Sequence, residues 1–118
     1  MNRNSNSLQE LIIAQYPFND PNNIGKDTSD NGNQATAEGT VPPVIEAICG
    51  RSSVTLSGGK SGTSYLRLPA GILADIDDNT GITVSTWLYL GKGSNVWERI
   101  FDFGKGETGP YLFLTRNF

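Results

Sequence analysis

Turn-forming residues interrupt this chain so often that no long helix has room to form. Fourteen glycines, with a surplus of Asn, Ser, Thr and Asp, divide the 118 residues into short β-rich runs. Glycine weakens helix interiors, while Asn, Asp and Ser draw backbone hydrogen bonds into turns. Punctuation of this kind points to an all-β domain. The length allows one domain with a single modest core. A hydrophobic fraction of 36% is low for strands buried on both faces.

Residues 1–10 are polar without apolar period and read as a flexible N-terminal arm. Residues 11–118 read as the domain. LIIAQYPF alternates, so Ile12, Ala14, Tyr16 and Phe18 would share one strand face. NDPNNIGKDTSDNGN follows and is nearly all turn formers, so it is a loop. A long ordered loop in a compact domain usually has a role or a ligand. QATAEGTVPPVIEAICGR then reads as a short strand, a Pro-Pro break and an apolar segment of open state. SVTLSGG and TSYLRLP, joined by GGKSG, predict an antiparallel hairpin. AGILADID suits one helical turn and DNTG a tight turn.

ITVSTWLYL is the clearest strand in the chain. Ile82, Val84, Thr86, Leu88 and Leu90 share one face, which should pack on an opposite sheet. Thr83, Ser85, Trp87 and Tyr89 share the other. WERIFDFG and PYLFLT predict a second hairpin across KGETG. Alternation there puts Trp97, Arg99, Phe101 and Phe103 on one face, with Glu98, Ile100 and Asp102 on the other. The expectation is about seven strands.

The composition excludes several kinds of chemistry. There is no histidine, so Ser-His and Cys-His nucleophiles and imidazole zinc sites are ruled out. The single cysteine, Cys49, has no partner for an intramolecular disulfide and reads as a small buried hydrophobe within VIEAIC. A net charge of −3 offers no basic footprint for nucleic acid or an anionic membrane. LIIA is too short for a signal-peptide core or a membrane span.

Taken in order, YPFND, DTSDNGN, the Gly-rich hairpin ending YLRLP, ITVSTWLYL, WERIFDFG and PYLFLT resemble a known arrangement. It is that of the laminin-G-like domains of the concanavalin A-like lectin/glucanase superfamily. The similarity is to the bacterial type attached to secreted glycoside hydrolases, such as arabinan-degrading enzymes, and runs from about Leu11 to Thr115. The resemblance implies an antiparallel jelly-roll sandwich and an extracellular or cell-surface location within a longer secreted protein. Such jelly rolls hold more than seven strands, so the chain reads as the N-terminal portion of the domain. An incomplete sandwich exposes strand edges and an apolar face. Self-association or a complementing chain is therefore expected.

Four features bear on function within that frame. Related glucanases set catalytic carboxylates as Glu-x-Asp-x-x-Glu on one strand, with retaining pairs about 5–5.5 Å apart. Glu98 and Asp102 would lie about 13 Å apart along a strand, and Ile100 stands where an acid is needed. Catalysis is not expected there; the stretch reads as structural, with Arg99 placed to pair with a carboxylate. Asp20, Asp27 and Asp30 offer hard oxygen ligands, and the resemblance implies a structural calcium near this loop. The alternative is a solvated loop held by Asx-turns. DIDDNTG, the third feature, reads as a polar turn rather than a calcium loop. Lastly, Trp87, Tyr89 and Trp97 either pack between sheets, the commoner outcome, or form a stacking platform for sugar rings. The resulting expectation is a non-catalytic carbohydrate-binding accessory module, of arabinan-type specificity or another. An adhesion or protein-interaction domain is the alternative.

Overall fold

A computed structural model describes residues 11–77, 79–91, 98–104 and 111–116. The chain falls into two compact units, one ending at Ile82 and the other beginning at Thr83. The described residues are strand-rich, and all their sheets are antiparallel and two-stranded.

The first unit holds four strands: β1 (Thr36–Glu38), β2 (Val44–Ile48), β3 (Arg51–Thr55) and β4 (Tyr65–Arg67). β2 and β3 form a tight hairpin in which Ile45 faces Val54 and Ile48 faces Arg51. The connection is Cys49-Gly50, and both residues have positive φ, 52° and 74°. A two-residue turn of that handedness matches the twist of its flanking strands, so it closes β2 on β3 directly. The hairpin expected between SVTLSGG and TSYLRLP is thereby corrected. β3 pairs back to VIEAI, and β4 pairs with β1 instead. Cys49 is corrected too: at the tip of the turn it is exposed. Across the ladder, the Thr55 hydroxyl donates to Glu46 Oε2 at 2.7 Å.

The β1–β4 ladder sets Ala37 opposite Leu66 and Glu38 opposite Tyr65. It continues as a looser pairing, with Val41 N–H donating to the Thr63 carbonyl at 2.8 Å. After β4, residues 69–76 make successive turns, with Ile72, Ala74 and Ile76 N–H groups donating to carbonyls three residues earlier. They are separate turns rather than the one helical turn expected of AGILADID, since Gly71 takes a positive φ of 79° that no right-handed helical turn admits. DNTG does turn as expected: Thr80 N–H donates to the Asp77 carbonyl, and Asn79 N–H to Asp77 Oδ1.

LIIAQYPF joins no ladder, contrary to the strand expected there. Its carbonyls are taken by side chains of the following loop, described below. Ser52 of β3 also ties it down, donating to the Phe18 carbonyl at 2.6 Å. Tyr16 and Phe18 do lie side by side as alternation suggests, with ring centroids 6.3 Å apart and planes 20° from parallel.

In the second unit β5 (Arg99–Gly104) pairs with β6 (Tyr111–Thr115), the hairpin expected. A bulge between Arg99 and Phe101 adds one residue to β5. An extra residue reverses the alternation beyond it. Arg99 therefore shares a side with Asp102 and Phe113, rather than with Phe101 and Phe103 as strict alternation requires. Its Nε donates to Asp102 at 3.1 Å, and its guanidinium lies 3.9 Å from the Phe113 ring centroid. Phe101 and Phe103 keep each other's company, 5.5 Å apart.

ITVSTWLYL is the largest departure from expectation. Residues 82–90 belong to no strand, and Val84, Leu88 and Leu90 are exposed rather than packed on an opposite sheet. β-propensity and alternation describe a surface that fits a sheet, but a strand exists only where a second strand supplies its hydrogen bonds.

Few side chains are buried among the described residues: Pro43 and Ala35 are the apolar ones, with Asp27 the charged one. Ala35 N–H donates to the Gly25 carbonyl at 2.8 Å, and a Cβ on Gly25 would overlap the Ala35 carbonyl. Gly25→Ala is therefore expected to destabilise the first unit by about 1–3 kcal/mol, the usual cost of overpacking. A urea-unfolding midpoint unchanged from wild type would show that the two backbones do not meet.

Candidate functional site

The best-defined polar constellation lies in the loop DTSDNGN and is organised by one carboxylate. Asp27 is only 7% exposed, and a buried charge needs partners. It has four. Oδ1 accepts from the backbone N–H of Gln15 at 2.9 Å and of Ser29 at 2.8 Å. Oδ2 accepts from the Ser29 hydroxyl at 2.7 Å and from Asn33 N–H at 2.8 Å. Burial alone would raise the carboxyl above its ordinary value. The hydrogen bonds from Gln15, Ser29 and Asn33 outweigh that, and the net direction is down.

The loop then returns the favour to the segment before it. Asn31 Nδ2 donates to the Ile12 and Ile13 carbonyls, and Asn33 Nδ2 to Ile13 at 2.8 Å. The Ser29 hydroxyl lies 3.2 Å from the same Ile13 carbonyl. Thr28 donates to the Gln15 carbonyl through both its N–H and its hydroxyl. Side chains thus replace the neighbouring strand that residues 12–15 lack. Tyr16 closes the cluster, its hydroxyl donating to the Asn33 carbonyl at 2.6 Å. Burial, and then the nearby Asp27 charge, push the Tyr16 phenol up to about 12.

Asp20, Asp27 and Asp30 are not brought together. Asp20 caps its own turn, accepting from Asn22 N–H at 3.0 Å. Both oxygens of Asp27 are committed to protein donors, which use about the four lone-pair sites a carboxylate has. Among the described residues, no three Asp, Glu or Cys side chains are grouped so as to hold a metal ion. This trio does not fit a calcium ligand set. Asx-turns were one of the two readings open for this loop, and one forms at Asp27–Ser29. The burial of the Asp27 carboxylate was not legible, because that depends on Gln15, twelve residues earlier. Ser29, Asn31 and Asn33 were missed as working residues, although all three lie in the quoted loop.

The carboxylates of Glu98, just before β5, and of Asp102 within it are each matched with an arginine. Asp102 pairs with Arg99, and Glu98 with Arg116 at 3.4 Å. The aromatics divide differently. Trp87 is 98% exposed and Tyr89 78% exposed, so neither packs between sheets. Trp97 lies outside the described residues. No protein-family model, curated protein or solved structure matches this chain.

Two outcomes test the Asp27 cluster. Asp27→Ala should cost about 2–4 kcal/mol, since it strands buried donors that had a charged acceptor. Because the folded carboxyl titrates below its unfolded value near 3.9, its contribution is intact above about pH 4 and fades as pH falls through the folded value. Urea midpoints measured from pH 7 down to pH 2 should show this acid loss in wild type and a flatter acid limb in Asp27→Asn. Equal acid slopes in both would assign the loss to other carboxylates.

Proposed function

We propose that the chain is part of a non-catalytic carbohydrate-binding module, the accessory domain of a secreted bacterial glycoside hydrolase. In this reading the three small antiparallel ladders belong to a laminin-G-like jelly-roll sandwich, and the ligand is a polysaccharide, of arabinan type or another. The exposure of Trp87 carries it. Sugar rings present apolar C–H faces that stack on aromatic planes, which requires accessible ring faces. Trp87 and Tyr89 both offer them, two positions apart. The arginine pairing of Glu98 and Asp102 also favours a structural role for the one stretch that resembled a catalytic pair. Resemblance of fold alone does not choose between sugar and protein ligands.

A second reading has its own support. Val84, Leu88 and Leu90 are exposed beside the aromatics, and contiguous exposed apolar residues mark surfaces that other chains cover. An adhesion or protein-interaction domain would use them directly. Even a sugar-binding module would need them covered, by a second copy or by a chain carrying further strands.

Glycan arrays followed by titration calorimetry separate these readings. A soluble arabinan or other glycan is expected to bind, and Trp87→Ala to weaken it by roughly tenfold, about 1.4 kcal/mol. Binding confined to protein partners would sink the carbohydrate reading. Light scattering at micromolar concentration is expected to give a mass above that of one chain. A cooperative, well-folded monomer would overturn the association.

A further inference from the structure

The first unit carries an open cleft of about 360 Å³ that is distinct from the Trp87–Tyr89 surface. Ile12, Ile13, Asn31 and Asn33 line one part of it, and Ile72 and Asp75 from the run of turns after β4 line another. The size is at the lower end of the range for small-molecule sites, about 300–1,000 Å³.

Its side-chain polar groups are mainly acceptors. Asn31 spends its Nδ2 hydrogens on the Ile12 and Ile13 carbonyls, and Asn33 spends one of its two on Ile13. Their amide oxygens, and the Asp75 carboxylate, accept no hydrogen bond from any described residue. Among the described residues the lining contains no Lys or Arg, so an anion has no cation to pair with there. A divalent cation wants six to eight oxygens at about 2.3–2.6 Å, and a cleft of this volume with one carboxylate is far too large and too weakly charged. An apolar ligand would leave the free acceptors without water or partner. A neutral ligand rich in hydroxyl donors, with an apolar face, meets every requirement.

We propose that this cleft seats one sugar ring, its hydroxyls donating to Asp75 and to the amide oxygens of Asn31 and Asn33 and its C–H face lying on Ile72. The inference rests on the carbohydrate reading above and names a second subsite, remote in sequence from the aromatic pair. The Asp27 cluster would hold this subsite in shape, because the loop that presents Asn31 and Asn33 is anchored by that carboxylate.

Ligand-observed saturation-transfer NMR on the full chain, with a panel of neutral mono- and trisaccharides, tests it. Among the described residues the exposed Asp75 side chain makes no hydrogen bond or ion pair, so Asp75→Ala should keep the wild-type urea midpoint yet lose at least about fivefold in affinity. Ile72→Trp, which fills the cleft, should abolish the monosaccharide signal. If Asp75→Ala and Ile72→Trp bind as wild type while Trp87→Ala does not, the cleft is refuted and the carbohydrate module stands. If no saccharide binds any form, both ideas fail together. If calcium chloride alone displaces the sugar signal and a chelator restores it, the cleft is a cation site and the proposal is overturned.

Discussion

A single buried carboxylate sets the geometry of the first unit. Asp27 is largely withdrawn from water and survives as an anion because backbone N–H groups from three places converge on it. Gln15 brings the segment before the loop, Ser29 the turn itself, and Asn33 the chain's return toward β1. Leaving any of these donors unmatched would cost about 1–3 kcal/mol, so the three segments are held in one arrangement. That arrangement then lets Asn31 and Asn33 reach the Ile12 and Ile13 carbonyls, which have no strand beside them. Removing the charge would loosen every one of these contacts at once.

The β-ladders depend on more local causes. β2 and β3 meet because Cys49 and Gly50 adopt the left-handed pair of conformations that a two-residue hairpin demands. β5 and β6 meet across a short connection, and one inserted residue turns Arg99 toward Asp102 and Phe113. By contrast, β1 and β4 are far apart in sequence, and pairing them requires the whole β2–β3 hairpin to be looped out between them. Nested pairing of this kind carries a larger closure entropy than a hairpin does.

The contrast between residues 11–18 and 82–90 is instructive. Both alternate, and both lack a neighbouring strand. The first is satisfied by polar side chains of its own loop. Among the described residues no such loop serves the second, and Trp87, Val84, Leu88 and Leu90 are exposed. Exposed aromatics beside exposed aliphatics suit a surface that meets something else. Sugar stacking uses the rings, and strand pairing uses the backbone, so the two uses are compatible on one segment.

What the sequence alone determined is the local part. Turn formers at short spacing dictate an all-β chain, and period-two alternation correctly predicts the β5–β6 hairpin, because neighbouring residues make its contacts. Asx-turns in the loop around Asp27 are one of the two readings its residues allow. Tertiary structure decided the rest. Whether SVTLS pairs with VIEAI or with SYLRLP turns on the handedness of two residues, since both partners have suitable β character. How far the Asp27 carboxylate is committed to backbone turns on Gln15 and Asn33 reaching its two different oxygens. Alternation in ITVSTWLYL states which residues would share a face, but it carries no information on where a partner strand is, because hydrogen bonds in a sheet are made between segments and not within one.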